Sequence, residues 1–367
     1  MTKTICPHPS WIEIDLKQFR SNLAAIRKKI GERLFCLPVK ANAYGHGLCE
    51  MGVAAAAAGV DYLGVSCLSE GAALRAAGIS LPILVFGAIH EDQINDLIER
   101  DLEFSVSSRY KAELVLKECT RLNKQCRIHL EVDTGMHRTG VRPDTAVDLL
   151  FWLLKAEAFE VVGIYSHLAT GDVPAHPFAL KQIAEMKGLA DRVGRGKMIW
   201  HLANSGGVTF YPESYFDMVR PGLVCYGYLP DGKLDPSGEI APCFSLKAKV
   251  SYFKVVAAGE GVSYGHLYRT AAQTRIVTVP VGYGDGYRRA LSNQGTVLIR
   301  GKRYQIAGAI CMDQFMVDIG MSEVFVGDEV TLIGGEVRLE ELSHMARTIP
   351  YELLCALNDR LPRVYFH

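Results

Sequence analysis

The chain is short of several things, and each shortage removes a class of function. It has no net charge, since 40 Lys and Arg balance 40 Asp and Glu. No basic surplus is there to recruit nucleic acid or an anionic membrane. The longest run of small apolar residues, Gly52–Val60, is far too short to span a bilayer. No apolar segment of secretory type opens the chain between Met1 and Trp11. The ten cysteines form no C-x-x-C pair, and H-E-x-x-H, P-loop and zinc-ligand spacings are missing. Scattered thiols without a leader read as reduced, which points to the cytoplasm and to no metal centre. What remains is an ordinary globular composition, 49% hydrophobic and 22% charged over 367 residues, enough for two domains.

The first two thirds alternate between two patterns. Strand-like apolar runs occur at Leu34–Val39, Tyr62–Val65, Ile83–Phe86, Phe104–Val106, Ile128–Val132, Val161–Tyr165 and Ile199–Ala203. Helical periodicity fills the gaps; Ala112, Val115, Leu116 and Cys119 recur at i, i+3, i+4 and i+7. Repeated βα units build a parallel sheet. With a weaker eighth strand at Asp217–Val219, the count predicts a (β/α)₈ barrel, a TIM-like α/β fold.

Polar residues sit at the ends of these runs: Lys40, Asp133, His167, Asn204 and Arg220. Active sites of such barrels lie at the carboxyl ends of the strands. Each residue alone is an ordinary start to a solvated loop, but five in register are harder to dismiss. In Arg127–Asp133, period-2 alternation puts His129, Glu131 and Asp133 on one face, which predicts that they point into the barrel. Lys40 follows the apolar run Leu34–Val39 directly, and a small-residue turn comes next. A lysine so placed either snorkels to solvent or offers a desolvated amine for Schiff-base chemistry.

The pattern changes near Pro230. Asp231–Gly238 is linker-like, and beyond it the runs Leu246–Val256, Ile276–Val281, Val297–Ile299, Met316–Ile319 and Val330–Ile333 are β-branched and divided by glycine turns. Two domains are expected: residues 1–238 as the barrel and 239–367 as a mostly β domain. The segment Trp11–Ile14 precedes the barrel pattern and is a candidate to join the second domain. Asn204-Ser205-Gly206-Gly207 after a strand suits a phosphate. Gly282-Tyr283-Gly284-Asp285-Gly286 lacks the strand–turn–helix context of a nucleotide loop.

Eight segments occur in one order along the chain: VKANAYGHG (39–47), DTGMHRTG (133–140), SHLATGD (166–172), NSGG (204–207), VRPG (219–222), VSYG (262–265), GYGDG (282–286) and CMDQ (311–314). The ordered set resembles the bacterial alanine racemases over nearly the whole chain. That resemblance implies a barrel joined to a C-terminal β domain, pyridoxal 5′-phosphate as cofactor, alanine as substrate, and a homodimer with shared active sites. D-alanine would supply peptidoglycan synthesis. Position by position, it implies that Lys40 holds the cofactor as a Schiff base, and that Lys40 and Tyr264 of the other subunit are the two bases. His167 and Arg220 match a hydrogen-bonded pair, with Arg220 meeting the pyridine nitrogen. Tyr44, Ser205, the backbone of Gly222 and Tyr351 would contact the phosphate, with Asn204 beside them. Arg138 and the backbone of Met312 would take the substrate carboxylate. Asp313, Asp172 and Tyr283 would stand behind the site or along its approach, and Tyr351 would narrow the methyl pocket.

Two positions depart from the family pattern. A carbamylated lysine found in many members is Glu131 here, expected to orient Arg138 directly or through a water. An arginine usual at the channel mouth is Ala309. The competing readings are a decarboxylase of the same architecture using the same cofactor, and a racemase acting on serine. A decarboxylase would favour an acidic partner at the pyridine nitrogen, where this chain has Arg220.

Overall fold

A computed structural model describes residues 8–367. The chain divides into two compact units. One comprises Phe19–Ala43 and Gly47–Ala241; the other comprises the segment ending at Gln18, Tyr44–His46 and Pro242–His367.

The strands in chain order begin with β1 (Ser10–Asp15). Eight follow in the first unit: β2 (Leu34–Pro38), β3 (Tyr62–Val65), β4 (Ile83–Val85), β5 (Glu103–Val106), β6 (Cys126–Glu131), β7 (Phe159–Tyr165), β8 (Ile199–His201) and β9 (Met218–Val219). They are parallel and form a closed barrel. The seam is sealed where Leu34 and Phe35 of β2 pair with Met218 and Val219 of β9. The expected barrel is therefore present, including its short eighth strand. The strands read as continuous apolar runs because helices cover their outer face and side chains fill their inner one. Tyr62–Val65, Ile83–Val85 and Glu103–Val106 are buried at every residue.

The helix anticipated between β5 and β6 spans Arg109–Leu122, capped by the Ser108 hydroxyl, which accepts from the Lys111 amide at 3.2 Å. Ala112, Val115 and Cys119 form its buried stripe. Helix Leu16–Ile30 carries one buried polar residue, Asn22. Its Nδ2 donates to the carbonyls of Cys225 (3.2 Å) and Ala241 (2.9 Å), and its Oδ1 accepts from the Ala241 amide at 3.1 Å. One side chain thus ties the first barrel helix to the end of the linker.

The second unit adds β10 (Phe244–Lys249), β11 (Tyr252–Val256), β12 (Gly261–Val262), β13 (Tyr268–Arg269), β14 (Thr274–Val279), β15 (Thr296–Ile299), β16 (Lys302–Gln305), β17 (Phe315–Asp318), β18 (Glu329–Ile333) and β19 (Arg363–Phe366). A six-stranded sheet has the order β16-β15-β18-β10-β1-β19, and β11-β14-β17 and β12-β13 form smaller ones. β1 belongs here: Ile12 and Ile14 are fully buried, and Lys247 bridges Glu13 (3.0 Å) and Glu329 (2.8 Å) across three strands. The run Leu246–Val256 is not one strand. It breaks at Val250 and Ser251, whose amides bond Asp328 and Thr278, so β10 and β11 enter different sheets.

Asn22→Ala would strand two buried carbonyls and one amide, at a cost of about 2–3 kcal/mol. A lower urea midpoint with unchanged steepness is the expected result.

Candidate active site

Lys40 stands at the carboxyl end of β2, after the Val39 amide donates to Gly64 at 2.8 Å. The turn beyond it is left-handed: Ala41, Asn42, Ala43 and Tyr44 have φ of 52°, 55°, 51° and 53°. A left-handed residue with a Cβ costs roughly 1–2 kcal/mol, so the surroundings must over-determine the turn. The Ala43 amide returns to Val39 at 2.7 Å, and the Gly47 amide reaches Asn42 O at 2.9 Å. Asn42 Oδ1 accepts from the Leu48 amide at 2.7 Å, starting helix Leu48–Ala57. Glu70 clamps from the side, its two oxygens accepting from the amides of Ala41 (2.6 Å) and Ser66 (2.7 Å). Alanine and asparagine suit this turn because a β-branched residue tolerates positive φ least. Glu70 was not visible from sequence, since it lies in the next βα unit.

Arg220 follows β9 and is 4% exposed. Its NH1 donates to His201 Nδ1 at 2.7 Å, and its NH2 to the carbonyls of Ser166 (2.7 Å) and Leu202 (3.4 Å). The guanidinium also lies over the Tyr165 ring, 5.1 Å from its centroid. Those bonds engage three of its five N–H groups, so a ligand's acceptor can still be met. Burial pulls its proton affinity down, and the nearby Tyr165, Cys36 and Glu131 oppose that. The expected His167–Arg220 bond is not formed. Arg220 takes His201 instead, one strand over, while His167 Nε2 lies 3.5 Å from Asn204 Nδ2. The available signal for His201 was a lone polar residue inside the apolar run Ile199–Ala203.

His167 is nonetheless tuned. Burial, with the charges of Arg220, Arg138 and Lys40, holds its pKa down to about 3, so the ring is neutral at physiological pH. Buried Gln182 shapes its loop, donating to His167 O at 2.9 Å and accepting from the Ala169 amide at 2.9 Å. Asn204 caps helix Ser205–Phe210 through the Gly207 amide (2.9 Å) and reaches Leu168 O at 3.2 Å. Ser205 Oγ accepts from the Gly222 amide at 2.9 Å, which brings two of the expected phosphate contacts together. Gly206 admits the loop bearing Asp172: a Cβ there would lie 2.2 Å from Gly171 O and 2.7 Å from the Asp172 amide.

Arg138 is exposed on the loop after β6. Asp133 shapes that loop by accepting from the amides of Gly135 (2.9 Å) and His137 (3.0 Å). Glu131 is 8% exposed, and its Oε1 accepts from Thr139 Oγ1 at 2.6 Å. Burial raises its carboxyl above the ordinary range; bonds to Thr139 and Tyr165 and the charges of Arg138 and Arg220 work against this. Glu131 therefore bonds Thr139 and Tyr165 and feels the charge of Arg138.

In the β-rich unit, Tyr44 and Tyr351 lie side by side with ring centroids 5.8 Å apart. Gly45, at φ 82°, admits the helix that carries Tyr351; a Cβ would sit 2.3 Å from Leu354 O. Tyr264 is 73% exposed at the tip between β12 and β13. Met312 is exposed, and its carbonyl accepts from the Gly284 amide at 2.8 Å. Asp313 pairs with Arg360 at 2.8 Å, and Arg360 also reaches Asp285 at 3.3 Å. Tyr283 is exposed beside them, its amide on Cys311 O at 3.0 Å. Ala309 is buried and its carbonyl accepts from Ser263 Oγ at 2.7 Å.

Comparison with known proteins gives the family. The model of the alanine racemase N-terminal domain matches residues 14–230, and that of the C-terminal domain matches 243–365. The chain belongs to the alanine racemase family. An alanine racemase of Desulfovibrio desulfuricans is 38% identical, covering 97% of this chain and 98% of its own. One from Symbiobacterium thermophilum is 39% identical over 97% of both. The solved alanine racemase of Streptomyces lavendulae superposes with a TM-score of 0.95 at 35% identity, covering 99% of this chain and 98% of that one. The alanine racemase of Bartonella henselae, solved with covalently bound pyridoxal phosphate, has a TM-score of 0.91 at 30% identity, covering 98% of this chain and all (100%) of that one.

Two outcomes follow for this racemase-family site. Asn42→Ala removes both the Leu48 bond and the residue best suited to positive φ, so a loss of about 1–2 kcal/mol is expected in denaturant unfolding. Because the folded state raises the Glu131 carboxyl, its contribution is fully present at low pH and lost as pH rises through the raised value. Glu131→Gln keeps an acceptor for Thr139 without the charge. Its thermal midpoint should exceed that of the parent at about pH 8 and match it at about pH 4.

Proposed function

We propose that the protein interconverts L- and D-alanine with pyridoxal 5′-phosphate as cofactor and two bases on opposite faces of the substrate's α-carbon. The observation that carries this reading is Lys40, placed before a strained turn at the end of a barrel strand, in the same barrel as buried Arg220. The donor set fits the cofactor. Lys40 would hold the aldehyde carbon. Ser205, the Gly222 amide, Tyr44 and Tyr351 would hold the phosphate. Arg220 would meet the ring nitrogen, with His167 and Asn204 nearby. When bound, the cofactor acidifies the substrate's Cα–H by delocalising the electron pair left behind.

The chain's own groups do the rest. Arg220 can only donate, so an acceptor facing it stays unprotonated and withdraws electrons less strongly. An acidic partner, as a decarboxylase would favour, does the opposite. Arg138 and the backbone of the second subunit's Met312 would hold the carboxylate, and the charge of Glu131 would orient Arg138. Glu131→Ala is expected to raise KM for alanine; an unchanged KM would sink that role. Lys40 would move the proton on one face and Tyr264, from the second subunit of a homodimer, on the other. The exposure of Tyr264 suits a side chain used by another copy. Asp172, Tyr283 and Asp313 would border the approach, and Tyr351 would favour a methyl over a hydroxymethyl group. The division of labour would fall near residue 238, with the barrel holding the cofactor and residues 239–367 reaching into the partner's site. The setting would be the cytoplasm, which the nine free cysteines among the described residues support, and the product would serve peptidoglycan synthesis.

The test is proton NMR of L-alanine in D₂O with the cofactor-loaded protein. Loss of the α-proton signal, with equal D- and L-alanine by chiral assay, is expected. Lys40→Ala should abolish both, and Tyr264→Phe should slow racemisation by roughly 10²–10⁴-fold. Release of carbon dioxide and an amine would overturn the reading.

A further inference from the structure

Four buried polar side chains cross the barrel interior in one line. Glu103 begins β5, His129 lies in β6, His201 ends β8, and Arg220 follows β9. Their exposures are 1%, 0%, 0% and 4%. Glu103 Oε2 lies 2.8 Å from His129 Nε2, His129 Nδ1 lies 3.0 Å from His201 Nε2, and His201 Nδ1 lies 2.7 Å from Arg220 NH1. At the far end Glu103 also meets Arg127 Nε at 3.4 Å, and Arg127 is partly exposed.

The two ends dictate every proton between them. An arginine only donates, so His201 Nδ1 must carry a lone pair and its Nε2 the hydrogen. That hydrogen needs a lone pair on His129 Nδ1, which leaves the His129 proton on Nε2, facing the carboxylate. Reversing either ring would set two donors or two lone pairs against each other in a dry core, an expensive arrangement. Both rings are therefore neutral, and burial beside Arg220 also drives the His201 pKa well below its ordinary value. The rings are boxed in as well. Tyr165 stacks on His201 at 4.9 Å and 16°, and its hydroxyl is held by Ser105 at 2.6 Å. Tyr62 meets His129 edge-on at 6.4 Å. Mid-strand Gly163 in β7 makes the room: a Cβ there would lie 2.6 Å from His129 Nδ1.

We propose that Glu103 and His129 are positioning residues for Arg220. They fix the tautomer of His201, and through it the rotation of the guanidinium that presents an N–H to the cofactor ring. This rests on the reading of Arg220 given above. Neither residue touches the ligand; each acts through the next.

The test starts with the cofactor-loaded protein labelled with ¹⁵N at histidine, using long-range proton–nitrogen correlation. Two buried rings protonated at Nε2 and bare at Nδ1 are expected. Glu103→Gln keeps an acceptor and Glu103→Met removes it at similar shape. The Gln variant should retain tautomers, cofactor absorbance and kcat. The Met variant should mix the His201 tautomers, shift the cofactor absorbance, and lower kcat roughly tenfold with little change in KM. A proton on His201 Nδ1, or a charged His201, in the parent protein overturns the proposal. So does a Met variant with parental tautomers. If the Met variant does not fold, the parent spectrum still decides. The tautomers are read without turnover, so failure of the racemase reading would be seen separately, as absent exchange with intact tautomers.

Discussion

A guanidinium that can neither leave its charge nor reach water is the constraint around which the barrel is built. Burying an ion costs several kcal/mol unless its hydrogens find acceptors. Arg220 finds them in His201 and in the carbonyls of Ser166 and Leu202. Each solution creates the next demand. His201 must be neutral and offer Nδ1, so it needs an acceptor at Nε2. His129 supplies it and then needs one of its own, which Glu103 provides. The carboxylate ends at Arg127, where water begins to help. A barrel core that apolar side chains could fill is instead threaded by a polar line, and a strand gives up its Cβ at Gly163 to admit it.

The lysine turn answers a different problem. A strand end followed by a right-handed helix would carry the chain away along the barrel wall. Four successive left-handed residues curl it back over the strand end. That strain is held by backbone bonds to Val39 and Asn42 and by the Glu70 carboxylate. Unlike the arginine line, nothing here is deeply buried and charged. Lys40 keeps intermediate exposure.

Much of this was legible in the residues. The barrel strands announced themselves as apolar runs because both faces are covered, and their polar ends fell where barrel chemistry occurs. His129 was placed inward by alternation once the apolar face of the strand was taken to meet the helices. What escaped was pairing across strands. His201 and Arg220 are 19 residues apart, and nothing local favours that partner over His167. Glu103 was hidden because a lone acid before Phe104 looks like a loop. The left-handed turn was invisible because Ala-Asn-Ala-Tyr fits an ordinary helix start equally well. In the β-rich unit, β16 (Lys302–Gln305) was missed because three of its four residues are exposed, and β19 because its partner β1 opens the described chain.

Glu131 shows how the two problems meet. A carboxylate at the end of β6 feels Arg220 from within the barrel and Arg138 from the loop above, yet its bonds go to Thr139 and Tyr165. Were it ion-paired directly to Arg138, that guanidinium would be drawn down onto the barrel end. Held by Thr139, it supplies negative charge at a distance and leaves Arg138 exposed. The same carboxylate lowers the cost of keeping Arg220 charged. A glutamate here can therefore offset two cations at once, provided it stays ionised, and burial opposes that ionisation. The balance depends on both arginines being present. Removing either one should let the Glu131 proton return at higher pH, which couples the loop after β6 to the barrel core through a single carboxyl group.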